Sequence, residues 1–126
     1  MYKILIATIV VIIIHLGFSP SSFAQKLDKK NNKEVVSDTL MVRGVCGSCK
    51  ERIEMAASIK GVKKASWDKH KQQLIVIYKP SKVTTKEIEQ EVAKVGHDTE
   101  NFKAEDKIYN RLPACCAYRS GEIEIH

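Results

Sequence analysis

The chain has 126 residues, 44% of them hydrophobic, and a formal net charge of +6. That is length for one domain with a core of its own. Its lysines are interleaved with Glu and Asp, with no basic stripe and no aromatic stacking platform, which excludes a nucleic-acid-binding surface; four cysteines are too sparse for a disulfide scaffold and read as chemistry rather than stapling.

Residues 1–24 read as a secretory signal. Lys3 gives a basic start, Ile4 to Leu16 is almost wholly aliphatic, and Ser22-Phe23-Ala24 places small residues at a cleavage site. The apolar run is short for a membrane span of ~20 residues, so an uncleaved anchor is the second reading. The implied destination is beyond the inner membrane, in the periplasm. Residues 25–33, rich in Lys and Asn, read as a disordered leader.

From Glu34 to Gly44 the chain turns extended, with Leu40 and Val42 on one face and Met41 and Arg43 on the other. Gly44-Val45-Cys46-Gly47-Ser48-Cys49 follows. From Cys49 to Ile59 the apolar stripe Cys49, Ile53, Ala56, Ala57 has helical spacing, and Gly61 stops it. Val62 to Asp68 and Gln72 to Tyr78 alternate as strands around the polar turn Lys69-His70-Lys71. Thr84 and Glu87 form a capping box for a helix carrying Ile88, Val92 and Val95, closed by Gly96. His97 to Phe102 reads as a short last strand.

This order, βαββαβ over residues 34–102, predicts an α+β fold. It is a ferredoxin-like sandwich, a four-stranded antiparallel sheet with two helices on one face. Residues 103–126 are a C-terminal extension with one or two helical turns, Asp106 to Leu112, and the pair Cys115-Cys116. Ile75 and Ile77 face away from Leu74, Val76 and Tyr78, on the side of the sheet that helices leave bare. The extension is expected to cover them.

A Cys-x-x-Cys pair at a strand-to-helix turn grips a soft metal, exchanges disulfides, or closes a structural site. Thiolates suit Cu(I), Hg(II), Zn(II) and Cd(II). The helix N-terminus favours the thiolate of both Cys46 and Cys49.

Residues 36–102 resemble the heavy-metal-associated domain of copper chaperones, copper-ATPase N-terminal domains and periplasmic mercury-binding proteins. The resemblance rests on the strand, Gly-x-Cys-x-x-Cys, the amphipathic helix, Gly61-Val62, the hairpin, the second helix and Val95-Gly96-His97. It implies a non-enzymatic, monomeric carrier that binds a soft ion, Cu(I) foremost, at Cys46 and Cys49. It also implies a metal-transporting membrane protein, or another Cys-x-x-Cys domain, as recipient. The family usually writes Gly-Met-Thr-Cys, whereas Gly44-Val45-Cys46 is one residue shorter and lacks the Met that supports the loop. His97 stands where a histidine approaches the metal in some similar chaperones, and is a candidate third ligand.

Cys115 and Cys116 have three readings: added sulfur ligands making a four-sulfur site, a second site or a disulfide with Cys46 or Cys49, and plain exposed thiols. Two other functions stay open. One is a thiol–disulfide oxidoreductase, which lacks the Trp before the first Cys and a proline placed to face the thiols. The other is a structural zinc or disulfide interaction module.

Overall fold

The computed structural model describes residues 34–121. The expected export signal at 1–24, the leader at 25–33 and residues 122–126 lie outside the described residues. The elements run β1 (Val36–Met41), α1 (Gly47–Ala57), β2 (Val62–Asp68), β3 (Gln73–Tyr78) and α2 (Thr85–Lys94), followed by α3 (Asp106–Tyr109) and a 3-10 turn at Ala114–Cys116. No helix among the described residues is long and apolar enough to cross a membrane.

The sheet has the order β1-β3-β2, all antiparallel. Val36 stands opposite Tyr78 and Met41 opposite Gln73, while Trp67 of β2 stands opposite Leu74. The strict alternation of β3 sends Leu74, Val76 and Tyr78 into the core and leaves Ile75 46% exposed on the other face. Against the inner face α1 buries Cys49, Ile53 and Ala57, and α2 buries Ile88 and Val92. Ile53, Leu74 and Ile88 are wholly buried, each contributing roughly 2 kcal/mol of transfer free energy. The capping box forms as expected: Glu87 N–H donates to Thr84 Oγ1 at 3.3 Å and Thr84 N–H to Glu87 Oε2 at 2.8 Å. Such a cap contributes about 1 kcal/mol.

Two expectations are corrected. The sheet of the described residues has three strands, not four. The segment expected as a fourth strand lies along the free edge of β1, but pairs there only through the bridge Val42–Thr99 and the bond from Arg43 N–H to Asp98 O, 2.8 Å. Its polar groups go elsewhere. Thr99 N–H closes a turn on Phe102 O at 2.8 Å. The buried Glu89 carboxylate accepts from Thr99 Oγ1 at 2.9 Å and from Asn101 N–H at 3.1 Å. A segment whose donors are held by a turn and by α2 cannot extend a ladder.

The extension, in turn, does not cover Ile75 and Ile77. It docks on the loop end of the sandwich, over Gly96, His97 and Asp98. The Tyr118 hydroxyl donates to Gly96 O at 2.7 Å and accepts from Asp98 N–H at 2.9 Å. Arg119 pairs with the Asp98 carboxylate, its Nε 2.9 Å from Oδ2, and donates to Ala104 O at 2.8 Å. Leu112 lies against Gly96, where a Cβ would come within 3.0 Å of its Cδ2. Gly96 also has φ +99, the left-handed region that glycine alone enters at little cost. The polar anchors Tyr118 and Arg119 need partners, and the Gly96–Asp98 loop offers backbone groups and a carboxylate. On the Ile75 face the backbone groups of β3 are already taken by its ladders to β1 and β2.

Candidate metal centre

The loop leading to the first cysteine is held from two sides. Gln72, at the foot of β3, is the one non-glycine among the described residues with a positive φ, +56. That twist turns its amide onto Gly44. Its Nε2 donates to Gly44 O at 2.6 Å, and its Oε1 accepts from Gly44 N–H at 2.9 Å. From the core side the Trp67 indole rests on Gly44. A Cβ there would lie 2.9 Å from Trp67 Cη2 and 3.1 Å from Cys49 Cβ. Trp67 Nε1 donates to Val42 O at 3.0 Å, and Val45 is buried. With no methionine in the loop, Val45 and an indole lie under it instead.

Cys46 caps α1 in an extended conformation, φ −142 and ψ 175, and its carbonyl accepts the Lys50 N–H at 3.1 Å. Cys49 sits in the first turn on the inward stripe. Their Sγ atoms are 3.4 Å apart. The third sulfur comes from the extension: Cys116 Sγ lies 3.5 Å from Cys46 Sγ. The three sulfurs lie within 4.8 Å of one another, and all three residues are buried. Arg52, one turn along α1 from Cys49, places Nη1 3.4 Å from Cys116 Sγ.

The thiols are not equivalent. At Cys46 burial opposes ionisation, but hydrogen bonds from the Cys49 N–H and from the thiols of Cys49, Cys116 and Cys115 outweigh it, so this thiol is the more acidic. Burial pushes Cys49 up. Burial, then its hydrogen bond to Cys49, pushes Cys116 up to about 11. Cys115 is also raised, by its hydrogen bonds to Cys116 and Cys46. The apo cluster is one thiolate-forming sulfur with thiol donors around it, an arrangement in which a soft cation replaces protons.

Of the five expected ligands, the structure brings together Cys46, Cys49 and Cys116. Cys115 is exposed, its sulfur 4.0 Å from that of Cys116, and lies outside the group. His97 does not join it either. The ring is wholly buried, its Nδ1–H donates to Arg43 O at 2.8 Å, and it stacks on Tyr118 with centroids 5.6 Å apart. Burial holds its pKa down to about 4. His97 is therefore a neutral packing group between the loop and the extension. Its Nε2 has no hydrogen-bond partner.

Sequence reasoning missed Gln72, Arg52 and the place of Trp67 against the loop. Arg52 had a faint signal, because residues three apart on a helix are neighbours and Arg52 follows Cys49 by that spacing. Gln72 had none: a glutamine read as the first residue of a strand carries no mark of its partner.

Residues 39–98 match the family model of the heavy-metal-associated domain. The chain is 32% identical to the CopZ metallochaperone, over 51% of this chain and 98% of that one, with a TM-score of 0.49. It is 28% identical to a Bacillus anthracis str. Ames protein assigned as copper-ion-binding, over 56% of this chain and all of that one, TM-score 0.51. It is 27% identical to a copper binding domain from HMA7, a P-type ATPase, over 51% and 89% of the two chains, TM-score 0.49. No curated protein matches the chain.

Proposed function

The chain belongs to the heavy-metal-associated domain family, and on that premise we propose that it is an exported, non-enzymatic carrier of a soft metal ion. Cys46 and Cys49 grip the ion, and it passes to a recipient by thiolate exchange. The observation that carries this reading is the pair of buried sulfurs 3.4 Å apart at the N-terminus of α1. Two thiolates suit Cu(I), Hg(II), Cd(II) or Zn(II). Cu(I) stands first because of the likeness to the Bacillus anthracis protein. The recipient would be a metal-transporting membrane protein or another Cys-x-x-Cys domain. Residues 1–24 would direct the chain to the periplasm.

Handing on needs no change of oxidation state. An incoming thiolate forms a metal–sulfur bond, one of the carrier's metal–sulfur bonds breaks, and the exchange repeats. The test is a titration of the reduced chain with Cu(I), Zn(II) and Hg(II), alongside Cys46→Ser and Cys49→Ser. One tight site that each substitution weakens is expected. A site whose affinity is unchanged by loss of Cys46 would sink the reading, and reduction of insulin disulfides at enzyme-like rates would replace it with an oxidoreductase.

A further inference from the structure

We propose that the C-terminal extension turns the two-sulfur site into a three-sulfur site, with Cys116 as the third ligand of the bound ion. This deepens the reading above and rests on it.

Three observations converge. The first is geometric. Metal–thiolate bonds of ~2.3 Å place the sulfurs of a flat three-sulfur site roughly 4 Å apart. Here Cys46 Sγ is 3.4 Å from Cys49 Sγ and 3.5 Å from Cys116 Sγ, and no pair in the group exceeds 4.8 Å. Small side-chain rotations suffice to admit the ion between them.

The second is electrostatic. Three thiolates around a monovalent ion leave two negative charges, and around a divalent ion one, in a buried place. Uncompensated buried charge is costly. The Arg52 guanidinium, 3.4 Å from Cys116 Sγ, is a cation at the sulfur that the two-sulfur motif does not supply.

The third is that the extension is a built platform for Cys116. Its sulfur reaches the loop because Tyr118 bridges Gly96 O and Asp98 N–H, and because Arg119 holds Asp98 and Ala104. The Tyr109 and Tyr118 rings meet edge to face, centroids 5.1 Å apart, and Arg119 lies over Tyr109. These contacts fix a wholly buried Cys116, where a loose tail would leave it in solvent.

The consequence is retention. A recipient's thiolate forms its bond to the ion as the bond to Cys116 breaks. The extension therefore competes with the recipient and slows release. The site favours ions that accept three sulfurs, such as Cu(I) and Hg(II). A tetrahedral zinc site needs a fourth ligand that this group does not contain.

The experiment is X-ray absorption on the full-length reduced chain loaded with one equivalent of Cu(I), together with Cys116→Ser and Cys115→Ser. Three sulfurs per copper are expected in wild type and in Cys115→Ser, and two in Cys116→Ser. Chelator competition should show at least a ~10-fold loss of Cu(I) affinity in Cys116→Ser. The wild-type coordination number decides the matter without any variant, so misfolding of Cys116→Ser cannot hide the answer. Two sulfurs in wild type would overturn this inference while leaving the carrier function standing. So would a loss of sulfur in Cys115→Ser alone. A wild-type chain that binds no copper would overturn this inference, and one that also binds neither Hg(II) nor Zn(II) would overturn the carrier function.

Discussion

The sulfurs of Cys46 and Cys116 lie 3.5 Å apart although 70 positions separate them in the chain. Cys46 belongs to the strand-to-helix turn and Cys116 to the extension. Their approach makes the extension part of the site, and the residues that hold them together become testable.

Arg52 is the cation against Cys116. Arg52→Gln keeps a long polar side chain and removes the charge. It should lower Cu(I) affinity by about 3- to 10-fold, on the order of 1 kcal/mol, the scale of an ordinary hydrogen bond. The urea midpoint of the apo chain should hardly move. Chelator competition checks this; an unchanged affinity would reduce Arg52 to a packing role.

Gln72 grips both backbone groups of Gly44 from a left-handed conformation. Gln72→Ala should cost about 1–2 kcal/mol of stability through the lost amide bonds. Gln72→Gly loses the same bonds but relieves the φ of +56, so it should be more stable than the alanine variant by about 1 kcal/mol. Urea denaturation of the three proteins gives the ranking, and equal stability of the two variants would contradict the strain argument.

Gly44 and Gly47 flank Cys46 but differ in their surroundings. A Cβ at Gly44 meets Trp67 at 2.9 Å, whereas a Cβ at Gly47 meets nothing within 4 Å. Gly44→Ala should destabilise by about 1–3 kcal/mol through overpacking, shift the Trp67 emission and weaken metal binding. Gly47→Ala should leave stability within about 1 kcal/mol of wild type, because it adds a good helix former at the start of α1. Thermal melts and fluorescence of the pair separate the two cases.

His97 sets a dependence on acid. Burial holds its folded pKa at about 4, below the ~6.5 of an unfolded histidine. Between those values the unfolded chain binds a proton that the folded chain does not, so stability rises with pH across this window. The contribution is complete above about pH 6.5 and is lost as pH falls towards 4, by on the order of 3 kcal/mol. Asp98, whose pKa is lowered although burial opposes it, because Arg119 and the Ala104 N–H stabilise its charge, loses stability in the same direction as acid protonates it. His97→Phe keeps a ring on Tyr118 and removes the titration, so its stability should fall less steeply between pH 7 and 4.5 in urea titrations. Parallel slopes for the two proteins would mean that His97 is not the source.

Much of the fold was legible because it is written in short-range patterns. The alternation of Leu74 to Tyr78 fixes which face of β3 is buried, and the bounds of β2 follow from Val62 and Asp68. The Thr84–Glu87 box starts α2 at the expected place. The helix α1 begins two residues earlier than its apolar stripe suggests, because Cys46 itself serves as the cap. The Cys46–Cys49 pairing is likewise local: three residues at a helix start can hardly place the sulfurs far apart.

Local patterning was therefore enough for the order of elements, the buried faces and the first two sulfurs. The tertiary structure decided the rest. It turned His97 inward onto Arg43 O and Tyr118, left Cys115 outside, and drew the last segment of the sandwich away from the sheet into a turn held by Glu89. It also sent the extension to the loop end, where Gly96 and Asp98 had backbone groups and a carboxylate to offer Tyr118 and Arg119. Periodicity reports on neighbours a few residues apart. The meeting of Cys116 with Cys46 depends on which polar groups the finished fold leaves unpaired, and those exist only once the sandwich has formed.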